Sequence, residues 1–117
     1  MEDVDDTLLF EARARVLADL QARHQATAEA VSLLEDACAD RRWWAEQWPA
    51  GEAYVAGLVA QDVQDALLDS VGRWPLCLTC DTDEPLHALH IQPDLGGPDP
   101  VWVCEQSDQA VAPLGGL

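Results

Sequence analysis

The sequence contains no lysine, and its 6 basic side chains, all arginine, stand against 22 acidic ones. The formal net charge is −16 at pH 7 over 117 residues. Phosphate recognition needs clustered lysine and arginine to displace counterions, so no direct nucleic-acid binding is expected. An anionic membrane surface is disfavoured on the same ground. Long hydrophobic runs are missing as well. Nothing approaches the ~20 apolar residues of a membrane-spanning helix, and the stretch Tyr54–Ala60 is interrupted by Gly57 and closed by Gln61-Asp62. The opening Met1-Glu2-Asp3-Val4-Asp5-Asp6 is acidic where a secretory leader would be positively charged. These absences lead to the expectation of a soluble cytoplasmic protein, in which thiols stay reduced. Glycine and proline are absent from the first third of the chain: Pro49 precedes every other proline and all 7 glycines. Disorder is not expected despite the charge, because 49% of residues are hydrophobic and 5 are tryptophan.

What fills the stretch before Pro49 is Ala, Leu, Glu, Gln and Arg, all good helix formers. Asp6 can cap the first turn, with Glu2, Asp3 and Asp5 near the positive end of the dipole. Apolar positions recur at Leu9, Ala12, Val16, Leu20, Thr27, Val31, Leu34 and Cys38, mostly in helical steps of three or four. Asp19, Arg23, Glu35 and Asp40 fall off that stripe, and His24 lies mid-helix. The spacing fits one long helix or two with a break near His24–Thr27. Trp48-Pro49-Ala50-Gly51 ends this unit. A second helix is expected from about Glu52 to Val71, with Val55, Leu58, Val59, Val63, Ala66, Leu67 and Val71 inward. Gln61, Asp62, Gln64, Asp65 and Asp69 face outward, and Gly72 serves as C-cap. The two units read as a long antiparallel helical hairpin over residues 1–73. Such a hairpin buries one seam, so its other apolar faces need either the C-terminal segment folded back or a second copy in a homodimeric four-helix bundle. The dimer is the preferred expectation.

Residues 74–117 differ in kind. They hold all prolines but Pro49, three of the four cysteines and no basic residue. Strand-like pieces occur at Leu86–Ile91 and Val101–Cys104, separated by a loop over Pro93–Pro100. A segment with so little apolar material needs a staple. Cys77-Leu78-Thr79-Cys80 is a C-x2-C turn, followed by His87, His90 and Cys104. A C-x2-C turn points two thiolates at one metal, and zinc takes four N/S ligands in a tetrahedron. Cys77, Cys80, Cys104 and one histidine would close a structural Zn2+ site in a small zinc-ribbon-like β module. The expected second C-x2-C reads Cys104-Glu105-Gln106-Ser107, which puts a histidine in the fourth place. On a strand His87 and His90 face opposite sides, so one of them serves. His87 is preferred as the nearer to the turn, with His90 the alternative. Trp102 would shield the metal and Trp74 would pack where helix meets module.

The string Arg73-Trp74-Pro75-Leu76-Cys77, then Cys80, His87-Ala88-Leu89, Pro93, Val101-Trp102-Val103-Cys104 and Ala112-Pro113-Leu114-Gly115 resembles small Cys/His-motif proteins of high-GC actinobacteria. Their pattern is W-P-x-C, a Cys/His pair, H-x-L, W-x-C and a closing A-P-[IL]-G. The resemblance implies a metal-binding terminal module, favours His87 over His90, and implies no activity.

Other features have plain explanations. Cys38 reads as a small buried hydrophobe. Trp43, Trp44 and Trp48 are expected to pack at the helix end, with a partner-binding hot spot as the sharper alternative. Arg41-Arg42 would pair with Asp36, Asp40 or Glu46. The acidic run Asp81-Thr82-Asp83-Glu84 is a solvated face. No H-E-x-x-H, P-loop, G-x-G-x-x-G or G-x-S-x-G motif occurs, and the zinc-deaminase pattern fails because Leu76 separates Pro75 from Cys77 and no H-x-E precedes it. The expectation is a non-enzymatic zinc-binding protein that works through contacts with a partner of basic surface. The alternatives are a thiol redox switch that releases zinc and, behind it, a zinc hydrolase.

Overall fold

The stretch before Pro49 folds as two helices, α1 over Asp6–Ala22 and α2 over Ala28–Gln47. These positions come from a computed structural model, which describes residues 6–77, 87–93 and 99–117. The break is built by local chemistry. The Gln25 amide bonds back to the Leu20 carbonyl at 2.8 Å, and His24 takes a left-handed φ of 57°. Thr27 then caps α2, its side chain accepting the Ala30 amide at 3.1 Å. His24 therefore lies in an exposed turn rather than mid-helix, and Thr27 is a cap rather than a core position. A short polar side chain competes for backbone donors, which favours helix starts over helix interiors. The break also resets the helical phase. Leu9, Ala12, Val16 and Leu20 are buried on α1 as the stripe predicts, but α2 buries Ala30, Leu34, Ala37 and Ala45 and leaves Val31 half-exposed.

A 3-10 turn over Pro49–Tyr54 leads into α3, Val55–Ser70. Val55, Val59, Ala60, Val63 and Leu67 of α3 are buried, while Leu68 and Val71 remain exposed. Gly72, with a φ of +135°, ends the helix as expected, its amide returning to the Leu67 carbonyl at 2.7 Å. The first unit thus supplies two helices, so three helices pack against one another. Asp62 is not outward: it takes a two-pronged contact from Arg41 at 2.7 and 2.9 Å, tying α2 to α3. Arg42 instead reaches Glu46 at 3.6 Å, as its spacing suggests.

Three short strands follow, β1 (His90–Gln92), β2 (Val101–Val103) and β3 (Ala110–Pro113), in an antiparallel sheet of order β1-β2-β3. Ile91 pairs with Trp102, and Trp102 with Ala112, with an irregularity after Trp102. Ahead of β1, Leu76 bridges Ala88 through the bonds Cys77 N–H to His87 O (2.8 Å) and Leu89 N–H to Pro75 O (2.7 Å). The sheet packs on the helices. Trp74, Leu89, Ile91, Trp102 and Leu114 belong to the same buried cluster as the helix residues Val16, Leu20 and Val59. Of the two routes open to the uncovered helix faces, the C-terminal segment folding back is the one present within this chain. Among the described residues, no helix is long and apolar enough to cross a membrane.

Candidate metal centre

Two side chains of the helical bundle hold the segments from which the candidate ligands Cys77 and His87 project. Arg23, at the end of α1, donates to the Leu76 carbonyl at 2.7 Å. Gln64 on α3 donates to both the Trp74 carbonyl (3.0 Å) and the Leu89 carbonyl (2.6 Å). Residues 74–77 and 87–89 are thereby pinned to the bundle on either side of the Leu76–Ala88 bridge. Cys104 stands at the mouth of the β2–β3 hairpin, its amide bonding the Gln109 carbonyl at 3.0 Å and its carbonyl accepting from Asp108 at 2.7 Å.

This scaffold gathers Cys77, His87 and Cys104, whose ligand atoms all lie within 4.8 Å of one another. Both cysteines are buried and His87 is half-buried. The His87 Nε2 to Cys104 Sγ separation is 3.3 Å. A tetrahedron with metal–sulfur bonds of about 2.3 Å and metal–nitrogen bonds of about 2.0 Å has S···N edges of about 3.5 Å, so this spacing suits a shared metal ion. The donor chemistry agrees, since two soft thiolates and an imidazole form a set that favours zinc-like metals over calcium or magnesium. The hydrogen bond to Cys104 raises the pKa of His87 above the ordinary histidine value, with Cys77 acting in the same sense and burial opposing it. Sulfur on two sides makes the spot electron-rich and hospitable to positive charge, which is what a dication brings.

Of the four ligands expected from the sequence, three come together and the fourth, Cys80, lies outside the described residues, as do Asp83 and the acidic run around it. His90 is not one of the residues that come together there. Its Nδ1 is 3.6 Å from Glu105, and its Nε2 is 3.2 Å from the Gln92 side-chain amide. Trp102 is fully buried, packed edge-on against Trp74 at 5.4 Å between ring centroids. Its indole N–H donates to Asp19 at 2.7 Å, so it is anchored to α1.

The tryptophans around Pro49 depart from the expected helix-end packing. Trp43 is 64% exposed and Trp48 49% exposed, while Trp44 is half-buried against the core. Trp44 and Trp48 meet edge-on at 5.3 Å, Trp48 stacks on Tyr54 at 5.8 Å, and the Arg41 guanidinium lies 5.5 Å above the Trp44 ring. The patch is ordered by its own contacts rather than by burial, because α2 and the 3-10 turn end at the edge of the bundle.

Gln64, Arg23 and Asp19 escaped the sequence reading. Gln64 and Arg23 bond backbone carbonyls, which carry no sequence signature. Asp19 is fully buried although polar residues off an apolar stripe read as solvated.

The chain belongs to the family DUF8819, a domain of unknown function, which it matches over residues 5–114. No curated protein and no solved structure matches it.

Proposed function

We propose that this DUF8819 member is a small zinc-binding protein whose metal is structural, held by Cys77, Cys80, His87 and Cys104, and that it acts by contact with a protein partner. The observation that carries this reading is the convergence of Cys77, His87 and Cys104 within 4.8 Å from three separate stretches of chain. The C-x2-C spacing adds Cys80 as the fourth ligand. Such a shell is closed, with no open position for a substrate or an activated water, so the zinc works as a staple rather than as a Lewis acid. Bound zinc would neutralise two of three thiolate charges and lock the sheet to the bundle, and its binding energy would become folding energy.

The partner surface follows from charge. Residues 77–117 carry seven acids and no base, and the exposed Trp43 and Trp48 lie at the far helix end beside the acids Asp40 and Glu46. A basic protein surface meets both needs, with aromatic anchors and acidic rims. The closeness of Cys77 and Cys104 also supports a second reading, a redox switch in which peroxide takes two electrons from a thiol pair to form a disulfide and zinc is released.

The ligand set is tested by loading the protein with cobalt(II), whose visible spectrum reports tetrahedral thiolate coordination. Wild-type protein and His90→Ala should give the same spectrum, while Cys80→Ser and His87→Ala should lose intensity and metal affinity. A His90→Ala protein that loses the metal while His87→Ala keeps it would reassign the fourth ligand. Absence of thiolate–cobalt bands in the wild type would remove the proposal.

A further inference from the structure

Asp19 is the one acidic or basic side chain that is fully buried among the described residues. It lies on α1 between the core residues Val16 and Leu20, and all its bonds run to the C-terminal segment. Its Oδ2 accepts the Trp102 indole N–H at 2.7 Å and the Gly115 amide at 2.7 Å, and its Oδ1 accepts the Leu117 amide at 2.9 Å. The fit around these bonds is close. Gly115 has a φ of +91°, and a Cβ there would lie 3.1 Å from Cβ of Arg15, one turn before Asp19. The backbone at 115 therefore rests directly on α1, where a side chain would hold it off. Trp102, the other anchor, lies on β2 two residues before Cys104, which directly follows the strand's last residue, Val103.

We propose that Asp19 is a positioning residue for the metal centre, acting through Trp102 on Cys104. Cys77 and His87 are held to the bundle by Arg23 and Gln64. Cys104 comes directly after β2, and among the described residues a side-chain hydrogen bond from Trp102 to Asp19 ties that strand to α1. The carboxylate also clamps the segment following β3, and β3 is paired to β2 through Trp102 and Ala112. Docking of the C-terminal segment on α1 and closure of the metal shell are then coupled, and each strengthens the other by the same factor. This inference rests on the metal reading above.

The test uses the full chain and zinc as the probe. Zinc dissociation constants of wild type, Asp19→Asn and Asp19→Ala are measured by competition with a chelating dye, at a temperature where circular dichroism shows each protein folded. Asp19→Ala should bind zinc about tenfold more weakly, the lower end of what loss of a supporting bond costs a metal site. Zinc should also raise its melting temperature by less than it raises that of the wild type. Asp19→Asn should fall between the two, because its amide oxygen can keep Trp102 and Gly115 while its NH2 opposes the Leu117 N–H. A carboxylate that merely stabilises the fold would lower the melting temperature and leave zinc affinity unchanged, and that result would overturn the coupling. If Asp19→Ala does not fold, Asp19→Asn decides alone, and wild-type affinity in that variant overturns the proposal. A wild-type protein that takes up no zinc removes the metal reading and the coupling together, whereas equal affinities in a zinc-binding series remove only the coupling.

Discussion

Single side chains in this protein do work that their residue type does not announce. Gly51 is buried under two indoles, and a Cβ built there would lie 2.6 Å from Trp44 and 2.7 Å from Trp48. Those are flat rings already locked by mutual contact, so they cannot swing clear without losing it. Gly51→Ala is expected to cost about 1–3 kcal/mol, the usual penalty of overpacking, measured by urea unfolding, with a change in tryptophan emission. A variant of wild-type stability would mean that the rings are loose. Cys38 was expected as a buried core residue and is only half-buried at the edge of the core. Burial pushes its thiol pKa up to about 11, with Glu35 adding to the effect and Arg13 opposing it. At pH 8 iodoacetamide should modify Cys38 far more slowly than it does in the unfolded chain, and the rate should climb as pH approaches that value. Because the folded pKa is the raised one, the neutral thiol costs no stability below pH 9, and stability falls as pH rises from 9 toward 11. The stripe foretold the burial of Leu34 but overstated that of Cys38. Asp19 was not readable, since its partner Trp102 stands 83 residues away and only the tertiary fold brings them together.

The elements were legible in proportion to their periodicity. α1 and α3 follow their apolar spacing closely, down to the Gly72 stop. The α1–α2 break was visible as a weak point but could not be assigned, because His24 and Thr27 are compatible with a helix until Thr27 finds the Ala30 amide. β1 and β2 were announced by Leu86–Ile91 and Val101–Cys104. β3 was missed, for it is four residues of which one is alanine-flanked Val111 and the last is Pro113, and it lies at the sheet edge where proline is tolerated. The joint between helix and sheet was also invisible. It depends on Gln64, whose single amide nitrogen serves two backbone carbonyls. Gln64→Ala leaves both carbonyls without that donor, and each lost bond of this kind is worth about 1 kcal/mol. The amide proton of Leu89, which bonds the Pro75 carbonyl beside the Leu76–Ala88 bridge, should exchange measurably faster in that variant. Unchanged protection would show that the joint stands without Gln64.

At the scale of the whole molecule, the shortage of basic residues and the cluster of sulfur are two sides of one design. Seven acids without a base in residues 77–117 repel one another in a segment whose strands are three or four residues long. Packing against the helices supplies part of the restraint, through Trp74, Trp102 and Leu114. A dication held among Cys77, His87 and Cys104 would supply the rest. The candidate site was the most legible part of the chain, because C-x2-C spacing has geometric meaning, and the preferred histidine, His87, is the one that lies beside Cys77 and Cys104. What the sequence could not convey was how the ligands are seated, which rests on backbone carbonyls and on a buried carboxylate. The most direct measurement is elemental analysis by mass spectrometry of protein purified from its host without added metal. The account predicts about one zinc per folded chain, lost together with the sheet when a strong chelator removes it. Less than about half an equivalent of zinc, in a protein whose sheet is nonetheless intact, would contradict it.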